Sequence, residues 1–198
     1  MKYETYKRVM EGLQETKFNF RSPTKLDIIR AVIIYRDFSG SKFGPANRSA
    51  TIAITPEVAA EFDKYGYKYK ELGVKDEEGN ILEGMSVLAI QPKLRYRSGL
   101  TGNPVAFPPE VSYYNSNGVE VSLSEETVGA LDTAKLSKCS FTINFYPKKD
   151  GSGFACSIKK FKSVMEPYVE YDGLYDEYNS ATNEELNPVD DDQVPFDV

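Results

Sequence analysis

The sequence predicts a mainly β protein, an antiparallel β-barrel with one inserted helix and short extra helices, followed by a flexible acidic tail. Stretches rich in β-branched and aromatic residues recur between clusters of Gly, Pro, Asn and Ser, as strands do between turns. The charge is divided: all 24 Lys and Arg lie at or before Lys162, and 11 of the 30 Asp and Glu follow it. The first 162 residues therefore carry +5 and the last 36 carry −11, which separates a domain (1–165) from a tail (166–198).

The N-terminal part predicts a helix and then one long strand. Apolar residues spaced i, i+3, i+4, i+7 indicate a short amphipathic helix within an N-terminal arm, residues 1–24. The spaced residues are Tyr6, Val9, Met10 and Leu13. Lys25 to Phe38 follows as a strand whose apolar residues occupy both alternating faces in its middle. That pattern is expected of a strand buried on both sides or coiled round a barrel.

The middle of the chain predicts a second strand, a helix and a third strand. Ser39 to Ser49 is a loop, and Ala50 to Thr55 is a strand. Thr55 at the N-cap and Pro56 at the first helical position begin the helix, which Gly66 ends.

Met85 to Arg97 is predicted as the third long strand. Within it Lys93, Arg95 and Arg97 alternate with Leu94 and Tyr96, which would place three cations on one face.

The C-terminal part of the domain predicts a hairpin, a short helical piece and two long strands. Val111 to Tyr114 and Val119 to Leu123 flank an Asn-Gly step, which is a strong hairpin signal. A short helical piece ends near Leu131, and strands follow over Cys139 to Phe145 and Phe154 to Met165. About six strands with one or two helices favour the OB fold, with a β-sandwich as the alternative.

Enzymatic readings find little support in the composition. The chain has no His, so the commonest general base and metal ligand is absent, and the two Cys form no metal-binding pattern. Both Cys are predicted to be reduced, about 20 Å apart along one hairpin. No apolar run reaches the roughly 20 residues that a membrane helix needs. A soluble cytoplasmic protein with no cofactor and no catalytic residue is expected, with a metal-dependent nuclease as a rival.

Three acid-poor stretches combine cations with aromatic rings, the combination that binds single strands of nucleic acid through phosphates and stacked bases. Any one of these rings would more commonly pack in the core, and any one cation would more commonly lie on a solvated face. The candidate cations are Arg36, Lys42, Arg48, Lys93, Arg95, Arg97, Lys148, Lys149, Lys159 and Lys162. The candidate rings are Phe43, Tyr96, Phe107, Tyr113 and Tyr146.

Several of these stretches resemble the phage single-stranded DNA-binding proteins of the OB-fold class. The resemblance covers roughly residues 25 to 165 and is carried by Arg36 to Gly40, Lys42 to Arg48, the Pro56 to Tyr67 helix, Leu123 to Val128, Leu131 with Asp132, and Phe145 to Pro147. It implies binding of single-stranded DNA with little sequence preference in phage DNA replication, recombination or repair, and a possible homodimer. A protein-interaction adaptor that binds no nucleic acid is the alternative.

The end of the chain is similar to the acidic tips of bacterial replicative single-strand-binding proteins. Asp190, Asp191 and Asp192 precede an apolar segment with Pro195 and Phe196. The similarity implies docking of replication or recombination proteins, although two further residues follow Phe196. Because the tail is a polyanion beside a cationic body, we also expect it to compete with DNA. A merely solubilising terminus is the alternative.

Overall fold

The computed structural model describes residues 1–42, 44–98, 101–148 and 151–166, which form two helices and ten strands. The helices are α1 (Tyr3–Glu15) and α2 (Pro56–Tyr65). The strands are β1 (Lys17–Ser22), β2 (Lys25–Ile29), β3 (Ile33–Asp37), β4 (Ser49–Ile54), β5 (Lys70–Lys75), β6 (Ile81–Ile90), β7 (Glu110–Tyr114), β8 (Glu120–Leu123), β9 (Leu136–Pro147) and β10 (Phe154–Met165). Two short 3₁₀ helices, Pro45–Asn47 and Val128–Asp132, lie in the connections.

Five strand paths close into a barrel. β2 pairs antiparallel with β9 and β9 with β10, while β3 pairs with β4 and β4 with β6. The path of β2 continues into β3, which joins the two sheets on one side. On the other side Lys93 bridges Ser49 of β4 and, in parallel, Ser157 of β10. This closed five-stranded barrel confirms the predicted OB-like fold, and the β-sandwich alternative is wrong.

The predicted strand from Lys25 to Phe38 is in fact two strands, β2 and β3, that belong to different sheets. The chain bends at Arg30, whose φ is +55°. Past the bend, the Ala31 amide donates to the Cys139 carbonyl at 2.7 Å and the Ala53 amide donates to the Val32 carbonyl at 3.0 Å. The single predicted strand was wrong because the apolar pattern continues through the bend, where the chain passes from one sheet to the other.

The predicted strand from Met85 to Arg97 is also shorter than expected, since β6 ends at Ile90. Pro92 lacks the amide hydrogen that a continuing ladder would need. Residues 91–97 then make only isolated bridges, two at Lys93 and one at Arg97. Consequently, Lys93, Arg95 and Arg97 do not lie on a regular strand. β1 and β5 were not predicted.

Other elements agree with the sequence analysis. α2 begins after Thr55 and ends at Gly66, whose φ of +72° is the left-handed conformation typical of a helix C-cap. Phe141, Ile143 and Phe145 of β9 all face the barrel interior and are buried. β10 spans the residues predicted for it. Cys139 and Cys156 are free thiols, as expected from their positions along the β9–β10 hairpin.

The main core fills the barrel, and α2 closes one end of it. The ring centroid of Phe62 lies 5.9 Å from that of Phe20, 5.7 Å from Tyr67 and 5.2 Å from Phe145. These edge-on contacts add to the apolar area that each ring buries. Leu131 of the second 3₁₀ helix is fully buried in the same core.

A second core covers the outer face of the β3-β4-β6-β5 sheet. Val9 and Leu13 of α1 pack there with Ala53 of β4 and Ala89 of β6. Because this cluster lies on one side and the barrel interior on the other, all six residues of β4 are buried. The outer face of this sheet is therefore closed to a ligand by α1.

Candidate nucleic-acid interface

A cleft of about 170 Å³ lies at the start of β10, and we call it the lysine cleft. Its charged, amide and aromatic lining residues are Lys68, Tyr69, Lys70, Gln91, Lys93, Lys148 and Phe154. No carboxylate occurs among the described residues that line it. Four amines therefore converge on one opening from three parts of the chain: the segment before and into β5, the segment after β6, and the β9–β10 connection.

Neutral side chains orient two of these amines. Lys70 Nζ donates to Gln91 Oε1 at 2.9 Å, and Gln91 Nε2 donates in turn to Ser49 Oγ at 3.3 Å. Lys93 Nζ donates to Asn47 Oδ1 at 3.0 Å. Because Gln91 and Asn47 carry no charge, these two contacts position the amines without adding a negative charge to the cleft. Burial lowers the pKa of Lys70, as expected for an amine removed from water.

A smaller cleft of about 50 Å³ adjoins the middle of β10, and we call it the phenylalanine cleft. Arg95, Phe107 and Lys159 line it, and the described lining again contains no carboxylate. The Phe107 side chain is 76% exposed, the highest value among the large apolar residues that the structure describes. Lys159 Nζ donates to the Phe107 carbonyl at 3.5 Å, and burial lowers the pKa of this amine. An exposed ring beside two cations can stack a base while the cations contact phosphates.

The two clefts follow each other along one strand. Residues 154–156 of β10 line the lysine cleft, and residues 157–159 line the phenylalanine cleft. Between them, the bridge from Lys93 to Ser157 closes the barrel. We therefore treat the two clefts as one basic groove over the first half of β10.

An ion-paired cluster lies further along the 91–97 segment. Glu125 accepts hydrogen bonds from Arg48 Nη1 at 3.0 Å and from Arg97 Nε at 2.9 and 3.0 Å. The Arg48 side chain is 10% exposed, whereas that of Arg97 is 53% exposed. The stretch around Arg97 lacks acidic residues in sequence, but the fold supplies one from a distant turn.

Five of the fifteen predicted DNA-binding residues lie in the basic groove: Lys93, Arg95, Phe107, Lys148 and Lys159. Two others are part of the interior. Arg36 is 6% exposed and donates to the backbone carbonyls of Asp132 and Ala134. Tyr96 is 8% exposed, and burial raises its pKa to about 12. Neither residue lines the lysine cleft or the phenylalanine cleft.

The other described candidates lie elsewhere. Lys162 pairs with Glu120 at 2.6 Å on the β7–β10 side of the barrel, and Tyr113 packs against the main core. Tyr146 is half-buried on the outer face of β9. Lys42 is exposed in the β3–β4 loop, where its amine lies 5.4 Å from the Tyr35 ring centroid. Phe43, Lys149 and the tail residues Asp190, Asp191, Asp192, Pro195 and Phe196 lie outside the described residues.

Lys68, Tyr69 and Lys70, which line the lysine cleft, were not among the residues predicted from the sequence. The sequence does contain a signal for them. Tyr65 to Lys70 alternates aromatic and basic residues around a single glycine, the combination sought for nucleic-acid binding elsewhere in the chain.

No group of three or more His, Cys, Asp or Glu is placed to hold a metal ion within the described ranges. In the same ranges, no helix combines the length and the apolar character needed to cross a membrane.

No protein-family model and no curated protein matches this sequence. Among solved structures, the single-stranded DNA-binding protein from bacteriophage Enc34 is similar at 11% identity and a TM-score of 0.41, over 80% of this chain and 94% of that chain. Its C-terminal truncation gives 10% and 0.40, over 78% and 98%. Its complex with single-stranded DNA gives 11% and 0.41, over 80% and 99%. Likeness at this level assigns no family.

Proposed function

We propose that this protein binds single-stranded DNA with little sequence preference. The observation that carries the proposal is the basic groove, in which cations and the exposed Phe107 ring converge and the described lining contains no carboxylate. Cations along a groove contact the phosphates of any sequence, and an aromatic ring stacks on any base. Both contacts therefore bind a strand without reading its bases.

The position of the groove on the barrel supports this proposal. OB folds bind oligonucleotides at the face of strands 2 and 3 and at the loops that join strands 1 to 2 and 4 to 5. Here α1 covers the outer face of β4. The open surface lies instead beside the bridge at Lys93 and next to the loop that follows Lys148. The bound DNA strand would follow that side of the barrel.

The biological setting that we propose is phage DNA replication, recombination or repair, in which single strands are exposed. Within this proposal the segment 166–198, which carries −11, competes with DNA for the basic groove. Its acidic tip, Asp190 to Phe196, docks replication or recombination proteins when DNA displaces it. The protein acts without a catalytic residue or a cofactor.

A gel shift with an oligonucleotide of about 30 nucleotides, at low and at moderate salt, tests the proposal. We expect a shift that weakens steeply with salt and depends little on sequence. A duplex of the same sequence serves as the competitor. No shift at low salt, for single-stranded DNA of several sequences, would refute DNA binding and favour the adaptor alternative. Degradation of the DNA that requires Mg²⁺ would favour a nuclease.

A further inference from the structure

The contact between Glu125 and two arginines has the form of an occupied anion site. Both carboxylate oxygens are used: Oε1 accepts from Arg48 Nη1 and Arg97 Nε, and Oε2 accepts from Arg97 Nε. Guanidinium groups bind carboxylate and phosphate with the same donor geometry. A phosphate oxygen pair would therefore fit where the Glu125 carboxylate lies.

The arginines do not depend on Glu125 alone for their placement. Arg48 Nε also donates to the Ser39 carbonyl at 3.4 Å, and its guanidinium carbon lies 5.6 Å from the Tyr96 ring centroid. Arg97 Nη1 donates to the Gly102 carbonyl at 3.4 Å, and the Arg97 backbone bridges to Pro104. Both guanidinium groups thus keep neutral contacts when the carboxylate leaves.

The turn that carries Glu125 is also held without its side chain. The Val128 amide donates to the Ser124 carbonyl at 3.0 Å, and the Ser124 amide donates to Thr127 Oγ1 at 2.9 Å. Ser124 Oγ donates to Glu126 at 2.6 Å. A change of rotamer at Glu125 would therefore free the arginines without dismantling the turn.

The cluster is continuous with the basic groove. Arg97 is two residues from Arg95, which lines the phenylalanine cleft. Arg48 is joined to the same segment, because its carbonyl accepts the Leu94 amide at 2.7 Å. A strand that leaves the phenylalanine cleft beside Arg95 would reach Arg97 next.

We infer that Arg48 and Arg97 form a phosphate-binding subsite at one end of the basic groove, and that Glu125 occupies this subsite when no DNA is bound. The inference rests on the proposed function, since the phosphate belongs to a bound single strand. A phosphate of the DNA therefore binds Arg48 and Arg97 only if it displaces the Glu125 carboxylate from them. Glu125 acts as a regulatory residue here and contributes no attraction of its own to DNA.

The test compares Glu125→Gln with the wild-type protein by fluorescence anisotropy of a labelled oligonucleotide of about 30 nucleotides. Gln keeps an acceptor for the arginines and removes the charge, so binding should tighten by about five- to tenfold at low salt. Glu126→Gln removes the same charge one residue away, at a carboxylate that bonds Ser124 and acts on the two arginines only through space, so it should tighten binding by less than Glu125→Gln does. Equal effects of the two variants, or weaker binding by Glu125→Gln, would overturn the inference.

Arg97→Gln supplies a second test at an exposed position, should Glu125→Gln fail to fold. We expect weaker binding and a salt dependence shallower by about 0.7 in log–log slope, the value for one lost phosphate contact on a single strand. Unchanged affinity would show that Arg97 only anchors Glu125. A wild-type protein that binds no DNA defeats the proposed function itself. A wild type that binds, with no gain from Glu125→Gln, defeats only this inference.

Discussion

The amine of Lys159 donates to the backbone carbonyl of Phe107, which joins β10 to the loop that presents the most exposed apolar ring of the described chain. The contact places a cation and a stacking surface side by side. Phe107 buries little of its own area. Because so exposed a ring contributes little to packing, Phe107 is the first residue to test for DNA binding.

Phe107→Ala should weaken binding to single-stranded DNA and leave the fold intact. Loss of one stacked base costs about 1–3 kcal/mol, which corresponds to about a 5- to 150-fold loss of affinity. Fluorescence anisotropy measures the affinity, and thermal unfolding checks stability. Ile81→Ala is the matched control, because Ile81 is 67% exposed at the start of β6, away from the groove. If both variants bind as the wild type does, the ring does not stack on DNA.

Lys159→Gln should lower both the affinity and its salt dependence. Each phosphate contact on a single strand contributes about 0.7 to the slope of log affinity against log salt, so this variant should lose about that amount. Titrations at four or more salt concentrations give the slope. Lys17→Gln removes the same charge on exposed β1, which β2 and β9 separate from β10, and should leave the slope unchanged. The same loss in both variants would indicate a general charge effect.

Deletion of residues 167–198 should tighten DNA binding, most strongly at low salt. The deletion removes ten carboxylates that we propose compete with phosphates for the basic groove. Anisotropy at low and moderate salt measures the change. A full-length variant with Asn and Gln in place of the tail acids separates charge from length and should behave as the deletion does. Unchanged or weaker binding by the deletion would contradict competition.

Phe62→Ala should destabilise the protein by about 3–5 kcal/mol, the usual cost of removing a fully buried aromatic ring. Phe62 joins α2 to β1 and β9 through its contacts with Phe20 and Phe145. Urea unfolding measures the free energy. Lys64→Ala on the exposed side of the same helix should change it by no more than about 0.5 kcal/mol. A small loss for Phe62→Ala would mean that α2 does not close the barrel core.

Glu120 should contribute stability that depends on pH. Hydrogen bonds from Lys162, Ser112 and Tyr114 lower its pKa from 4.5 to about 2, so the folded state favours the carboxylate. This stability is fully present above pH 4.5 and is lost as the pH falls through the folded-state pKa of about 2. We therefore expect Glu120→Gln to be less stable than the wild type at pH 6, and the difference to shrink below pH 4.5 and to vanish only below about pH 2. Thermal unfolding across this range measures the difference, and one that stays constant with pH would exclude the linkage.

The elements that the sequence predicted well are those whose signal is local. The Thr55-Pro56 start and the Gly66 end of α2 are set by backbone chemistry at those residues. The alternation of Phe141, Ile143 and Phe145 fixes which face of β9 enters the core. By contrast, the bend at Arg30 is set by the pairing of Ala31 and Val32 with two different partners, and no local pattern reveals it.

The candidate site was predicted only in part. A sequence shows where the cations and aromatic residues are, but elements distant in sequence decide which of them are buried. In sequence, Arg36 and Arg97 both belong to basic stretches. In the structure, the Arg36 guanidinium donates to the carbonyls of Asp132 and Ala134, and Arg97 forms an ion pair with Glu125. Lys68 and Lys70 lie just before β5 and at its start, distant in sequence from the other basic stretches, and the fold places them in one cleft with Lys93.

The backbone hydrogen bonds of Lys93 indicate where the barrel opens most easily. Two backbone hydrogen bonds, both made by Lys93, join residues 92–94 to β10, whereas β9 and β10 are paired at ten positions. Local opening should therefore start at this seam, and the amides of Lys93 and Ile158 should exchange with solvent earlier than those of the β9–β10 ladder. A DNA strand bound in the basic groove would contact both residues 92–94 and β10. Its binding would hold the barrel shut, so that affinity for the ligand and resistance to opening rise together.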